Sequence, residues 1–454
     1  MTPPKPDSRA ARVSLWGHLR AFRRDILSAQ PARLYRAWMA EFRMPFFRSY
    51  LCNDPALVRR VLDERPGDFP KSDRVTEGLR PLLGRSVFVT NGEEWLRQRR
   101  IIDPAFEGGR VKDSFPAIWA ASEAAVARME TGEVEVELAA SHAAADVIFR
   151  TLFSIPIEDR VAQAVFREFR AYQRSAPILN LGAFLRLPAW MPRLHRGATR
   201  RSARAIRALI EGLTAERAVA IAEGRAPADL ATKIMTTPDP VTGMPFGTAE
   251  MVDQVAIFFL AGHETSASAL GWALYLLATH PEVQERVAAE AAALRPEFGV
   301  VGSLRFTRDV FREALRLYPP VPMLVRETAR PEEFRGRKVR RGAQVVISPW
   351  HLHRHERLWE RPDAFDPDRW AGEVPQGGYL PFSRGPRVCP GAGFAMLEGT
   401  LMLAHLVRAF RFEALPERVP VPVAHLTVRA KDGIWLRVTG RQGGQIAHPA
   451  RDSL

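Results

Sequence analysis

Phe382-Ser383-Arg384-Gly385-Pro386-Arg387-Val388-Cys389-Pro390-Gly391 sets a cysteine in a glycine-bracketed loop, and the apolar run Phe394 to Phe410 behind it reads as a helix. A thiolate is a soft, electron-rich ligand that persists at neutral pH beside a metal, a positive charge or helix N-terminal amides. Arg384 and Arg387 supply charge, and Gly385 and Gly391 let backbone approach a flat cofactor. The only other cysteine, Cys52, precedes a turn at Asn53-Asp54-Pro55 and reads as a strand residue without chemistry. Two cysteines are too few for a disulfide framework or a zinc ribbon and fit a reducing compartment.

The 454 residues can bury a large core, and 46% hydrophobic with 26% charged residues is ordinary globular composition. The net charge of +14, from 65 Lys and Arg against 51 Asp and Glu, favours acidic partners. The arginines are scattered and no nucleic-acid motif appears, so nucleic acid is not an expected partner. Met1 to Ser28 is Pro-rich, then Arg-rich, without the apolar core of about 7 to 15 residues that a secretory signal needs. No apolar span of about 20 residues follows, so no transmembrane anchor is expected. The amphipathic piece Leu15 to Ile26 suits either a solvated helix or peripheral contact with a membrane surface. The organisation expected is an N-terminal segment over 1–30, flexible or amphipathic, one domain over 31–442, and a frayed tail over 443–454.

In chain order, Pro66 to Val89 reads as a Gly- and Pro-punctuated loop whose Leu79, Leu82, Leu83 and Val87 line a pocket. Trp95 and Arg99 lie four apart on one helix face, and an indole N–H beside a guanidinium makes a clamp for a carboxylate. Glu133 to Ala222 is helical in pattern, with Pro177 to Leu194 an apolar exception suited to a lid, a membrane-touching loop or a packing segment. Thr248 is expected to cap a helix running to about Thr279, roughly 48 Å at about 1.5 Å per residue. Inside that apolar helix sits Ala261-Gly262-His263-Glu264-Thr265-Ser266, where a buried acid and hydroxyl are costly unless they serve something. Glu313 and Arg316 share a helix face and can pair. Val321 to Thr328 reads as a strand, with Met323, Leu324 and Val325 toward substrate. His351, His353 and His355 alternate as a strand-borne metal site would, although the following Glu356-Arg357 favours a solvated turn. Gly391-Ala392-Gly393 lacks the rest of a dinucleotide fingerprint, so no flavin or nicotinamide of its own is expected.

The loop matches, at every fixed position, the Phe-x-x-Gly-x-Arg-x-Cys-x-Gly of the cytochrome P450 superfamily, and over about residues 40 to 440 the chain resembles that family. Ala261 to Thr265 resembles its oxygen-activating Ala-Gly-x-Asp/Glu-Thr motif, and Trp95 with Arg99 its propionate-binding helix, though the match weakens locally at Asp103. The resemblance implies a mainly α fold with small β-sheets (α+β), heme b held between the long helix and the cysteine helix, and Cys389 as axial iron ligand. It carries over Trp95, Arg99, Arg326, Arg387, Phe382 and Gly391 as cofactor contacts. Thr265 and Glu264 carry over as the catalytic alcohol and acid that handle protons, and Glu313, Arg316 and Arg369 as a structural ion-pair network. The expected pocket is apolar: Leu82, Leu83, Val87, Phe258, Phe259, Ala261, Val321, Met323, Leu324 and Trp435.

The function implied is a soluble, cytoplasmic, monomeric heme-thiolate monooxygenase, bacterial in type and similar to the fatty-acid-hydroxylating and microsomal-like branches. Its substrate would be a hydrophobic small molecule such as a fatty acid, terpenoid or carotenoid. Dioxygen would be the oxidant, and electrons would come from a separate ferredoxin, flavodoxin or reductase, steered to a basic face around Arg384. A peroxide-driven or isomerising heme-thiolate enzyme is the alternative that Glu264 and Thr265 argue against, and a non-enzymatic heme-binding protein is the other.

Overall fold

The long helix spans Thr248–Ala278, 31 residues, and is therefore about 46 Å long. Its N-cap is Gly247 instead of Thr248, because Glu250 reaches back one turn and accepts the Gly247 N–H at 2.9 Å. Apolar residues surround it, so it buries nearly every side and forms the axis of a mainly helical body. Gly262 and Gly271 mark where the helix Val136–Phe153 crosses it. A Cβ at Gly262 would lie 2.3 Å from Ile148 Cδ1, and one at Gly271 would lie 3.4 Å from Glu137 Cα. The glycine of the motif therefore serves close helix packing, not only a weak point in the helix.

The structure, a computed structural model, describes residues 2–9, 13–43, 47–107, 109–175 and 197–441. The expected lid over Pro177 to Leu194 and the tail over 443–454 lie outside them. Among described residues no helix is long and apolar enough to cross a membrane. Residues 2–9 lie against the body: Tyr318 donates its hydroxyl to Pro4 O at 2.8 Å, and Arg9 N–H reaches Gln30 O at 3.1 Å. The N-terminal segment is thus tethered.

Eleven strands form among the described residues. They are β1 Met39–Arg43, β2 Arg48–Cys52, β3 Gly132–Glu135, β4 Leu324–Glu327, β5 Glu332–Phe334, β6 Arg337–Val339, β7 Gln344–Ile347, β8 Phe410–Ala414, β9 Pro422–Ala424, β10 Val428–Ala430 and β11 Trp435–Gly440. The largest sheet has the order β1-β2-β7-β4, with β2 and β7 parallel and the outer pairs antiparallel. It covers a small second core containing Tyr50, Cys52, Phe69 and Val345. Cys52 ends β2 fully buried, and burial pushes its thiol far above the usual range, so it is inert as expected.

Two local expectations are corrected. Pro66 to Val89 is not one loop: Asp73–Leu83 is a helix that buries Leu79, Leu82 and Leu83 at helical spacing and stops at Gly84, whose φ is +51°. The tolerated Pro81 near its end had obscured that periodicity. His351, His353 and His355 are buried and not a solvated turn. His353 Nδ1 donates to Arg316 O at 3.1 Å while its Nε2 accepts Leu380 N–H at 2.7 Å, a neutral imidazole used as a brace. Among described residues no group of acids, cysteines and histidines could hold a metal ion.

The helix Ala392–Ala409 crosses Arg305–Leu317 at Gly399, where a Cβ would lie 2.1 Å from the buried ring of Phe311. Gly399→Ala is expected to lower unfolding stability by about 1–3 kcal/mol through overpacking. Denaturant unfolding checks it, and Phe311→Leu in the same chain should recover part of the loss.

Candidate active site

The cysteine loop is shaped by its neighbours before any ligand is considered. Gly385 has φ +71°, and a Cβ there would lie 2.1 Å from Leu62 O, so the loop can sit on the Arg60–Glu64 turn only with glycine. That contact is with protein backbone, where sequence reasoning had assigned it to a cofactor. Cys389 N–H donates to Phe382 O at 2.9 Å, closing the loop over the N-terminus of the helix Ala392–Ala409. Phe382 is half-buried against the main core. A Cβ on Gly391 would lie 3.9 Å from Cys389 Sγ and meet nothing else, which leaves the sulfur open on that side.

Cys389 keeps accessible surface although protein encloses it. Burial raises its thiol pKa, while the Gly391 N–H and the Arg99 guanidinium pull the other way. Ala261 on the long helix is likewise exposed among buried neighbours, with Thr265 and Phe258 half-buried on the same face at helical spacing. A closed circuit of contacts joins the two elements. Arg99 Nη1 donates to Val388 O at 2.7 Å, Phe106 meets Phe258 at 6.0 Å between ring centroids, and Ser266 Oγ donates to Glu398 Oε2 at 2.7 Å. The cysteine loop and the Ala261–Thr265 stretch are therefore fastened to one another through neighbouring residues.

Around Trp95 four cations converge from distant parts of the chain. Lys71 Nζ lies 5.5 Å, Arg99 Cζ 5.8 Å and Arg387 Cζ 5.2 Å from the Trp95 ring centroid, and Lys71 forms a β-bridge with Arg326. Their hydrogen bonds go mostly to carbonyls: Lys71 to Val87 O and Thr90 O, Arg387 to Pro66 O and Phe69 O, Arg326 to Val325 O. The buried Nε atoms of Arg326 and Arg387 have no partner. Burial, then repulsion from Arg326, Arg387 and Arg99, holds the Lys71 ammonium well below its usual range. Burial and Arg387 bring Arg326 down to about 10. One carboxylate, Asp103, answers Arg99 at 2.7 Å. This donor set fits a ligand carrying two carboxylates, as heme b does. Sequence reasoning named Trp95, Arg99, Arg326 and Arg387 but missed Lys71, whose only signal was a lysine within the assumed loop.

On the long helix, Thr265 Oγ1 donates to Ala261 O at 2.5 Å. Glu264 is buried and accepts from the Thr427 hydroxyl and the Arg429 guanidinium. Arg429 is 37% exposed, so it links that carboxylate to the surface. His263 is buried, pushed down to about 4 by burial, and paired with Ser141 Oγ at 2.7 Å. Thr427 and Arg429, on the turn after β9 and on β10, were invisible to motif reading because they lie over 160 residues from Glu264.

Glu313, Arg316 and Arg369 form one connected ion-pair network. Arg316 makes two hydrogen bonds to Glu313 at 2.9 and 2.8 Å with both side chains fully buried, and Arg369 Nε reaches Glu313 Oε1 at 2.9 Å. Arg384, expected to face a partner, is held by Asp63 at 2.6 Å.

The expected pocket is only partly assembled. Val87, Phe258, Val321, Met323 and Leu324 are half-buried and Ala261 exposed. Leu82 and Leu83 are completely covered in the core. Phe259 turns away from the Ala261 face and packs with Phe149 and Phe169. Trp435 lies on β11, its ring under Arg418 at 4.9 Å and its indole N–H on Asp432 O. It pairs with Glu135 of β3, and its ring is engaged by these neighbours. Phe88, 37% exposed beside Val87, was not singled out.

Glu398, buried in the helix after Cys389, was also missed. Burial lifts its carboxyl from 4.5 to about 8, against the hydrogen bond from Ser266. A raised folded pKa means the neutral acid stabilises the fold below about 4.5, and that contribution is lost as pH climbs through about 8. Glu398→Gln keeps the Ser266 bond and should flatten this dependence. Between pH ~5.5 and ~8.5 the variant should gain unfolding stability over wild type, on the order of a few kcal/mol, which thermal unfolding across that range checks.

The family model described as Cytochrome P450 matches residues 15–436. Cyclooctat-9-en-7-ol 5-monooxygenase of Streptomyces melanosporofaciens is 35% identical over 89% of each chain, and cyclooctatin synthase of the same organism 32% identical over 83% of each. Cytochrome P450 4A14 of Rattus norvegicus is 30% identical over 86% of this chain and 81% of its own. The solved heme domain of cytochrome P450DA superposes with a TM-score of 0.78 at 24% identity, covering 97% of this chain and 98% of that one. That likeness speaks for the fold.

Proposed function

The chain belongs to the cytochrome P450 family, and on that premise we propose that this heme b monooxygenase hydroxylates an apolar terpenoid, with electrons from a separate donor. The reading is supported by the ties between the Cys389 loop, the cations around Trp95 and the Ala261–Thr265 helix, through Arg99 on Val388 O, Arg99 and Arg387 beside Trp95, and Ser266 on Glu398. Cys389 would hold the iron, and Lys71, Arg99, Arg326 and Arg387 with the Trp95 N–H would hold the carboxylates. The chemistry the group supplies when bound is dioxygen activation under thiolate donation.

The protein's own part is proton supply and exclusion of bulk water. Thr265 Oγ1, anchored on Ala261 O, presents a hydroxyl to the interior face, and Glu264 carries protons inward from the surface by exchanging its hold on Arg429. This pair supports a dioxygen-using reading over a peroxide-driven one. The terpenoid assignment rests on the two Streptomyces relatives, whose names state a cyclooctatenol substrate and a cyclooctatin product, together with the apolar lining at Val87, Phe258, Ala261 and Met323.

Cys389→Ser should remove both turnover and the red-shifted Soret band of the reduced carbon monoxide complex; retention of that band overturns the ligand assignment. Glu264→Gln should keep that band and lower the dioxygen-dependent rate by about 10²-fold. Product formation from peroxide alone should stay unchanged in the same variant. A type I spectral shift with cyclic terpenoid alcohols and none with fatty acids of equal carbon number supports the substrate class, and the reverse pattern overturns it.

A further inference from the structure

The helix Leu15–Arg24, Leu-Trp-Gly-His-Leu-Arg-Ala-Phe-Arg-Arg, contains no acid. Ser14 caps it, accepting Gly17 N–H at 3.1 Å. One face is packed: His18 stacks on Phe42 at 6.2 Å, and Phe22 lies against the main core. The other face is open. Trp16 is 82% exposed and Val13 42%, and one and two turns further on stand the exposed Arg20, Arg23 and Arg24. None of the three arginines forms an ion pair among the described residues. The nearest acid, Asp25, is buried and occupied by the N–H groups of Leu27, Ser28 and Ala424. A solvated helix face normally interleaves both signs of charge and keeps its tryptophan inside. An indole beside unneutralised arginines instead matches the headgroup boundary of a bilayer, apolar below and anionic above.

We propose that the face Val13–Trp16–Arg20–Arg23–Arg24 docks this protein on an anionic phospholipid surface. Charge complementarity chooses the occupant: three unpaired arginines in a chain of net charge +14 are repelled by a second copy of the same face. The consequence for the site is geometric. Ile26 N–H donates to Ala424 O at 3.0 Å and Ala424 N–H to Asp25 Oδ1 at 2.7 Å, so the helix end is fastened to the β9–β10 hairpin whose Thr427 holds Glu264. Docking would thus tie the hairpin beside Glu264 to a helix that lies on the lipid from which an apolar substrate partitions. This last step rests on the proposed substrate class; the binding itself does not.

The test floats the full-length holoprotein with phosphatidylcholine vesicles, with and without phosphatidylglycerol, at low and high salt. Flotation is expected only with phosphatidylglycerol, and salt should release it. Arg20→Gln, Arg23→Gln and Arg24→Gln together should weaken it about 100-fold, about 5-fold per arginine. Trp16→Ser should weaken it about 10-fold. Both variants should keep the reduced carbon monoxide spectrum, which separates lost docking from lost folding. Flotation unchanged in the triple variant, or equal on both vesicle types, overturns the proposal. So does equal binding of wild type and Trp16→Ser to soluble polyglutamate and to vesicles, which would make the face a docking site for acidic protein. Because no readout is turnover, failure here leaves the monooxygenase reading standing, and failure of that reading leaves this result interpretable.

Discussion

Glu313 and Arg316 form an ion pair with both side chains at zero exposure, and the position of the cysteine loop descends from it. Burying two charges is expensive unless every donor and acceptor is used. Arg316 spends its remaining N–H groups on the carbonyls of His353, Pro362 and Ala364, and Glu313 takes further bonds from Arg369 and the Asp366 N–H. The backbone carbonyl of Arg316 then fixes the His353 imidazole, whose other nitrogen holds Leu380 N–H, two residues before the loop that closes on Cys389. Removing Glu313 leaves the buried Arg316 charge without its carboxylate, and such losses typically cost about 3–5 kcal/mol. The network therefore acts as a single brace from helix to ligand loop.

The cation cluster has the opposite balance. Lys71, Arg99, Arg326 and Arg387 repel one another in a poorly solvated setting with one neighbouring carboxylate, Asp103. Such an arrangement destabilises the protein alone and stabilises it with a dianionic ligand. A dianionic cofactor bound there would couple its capture to folding through the same charges.

The long helix separates two jobs by face. Gly262 and Gly271 bring the helix Val136–Phe153 close on one side, while Phe258, Ala261 and Thr265 remain toward the interior. Glu264 and Ser266, flanking Thr265, go to different partners, the β9–β10 hairpin and the cysteine helix. Each residue of the motif thus has its own neighbour, which explains why a contiguous run of polar groups survives in an apolar helix.

The sequence by itself determined whatever is encoded in contiguous or helix-spaced residues: the cysteine loop, Ala261 to Thr265, Trp95 with Arg99, Glu313 with Arg316, and the long helix. Local spacing decides what shares a helix face, and that is physics a linear string carries. Tertiary structure alone decided the partners. Lys71 joins Arg326, Arg429 and Thr427 reach Glu264, Ser266 meets Glu398, and His353 braces Leu380, because pairing of buried charges and hydrogen bonds acts across chain distances that no spacing rule spans. The same reason overturned Phe259 and Trp435 as pocket residues. Both are aromatic and near the right elements in sequence, but the face that each presents is set by the helix or strand packed against it.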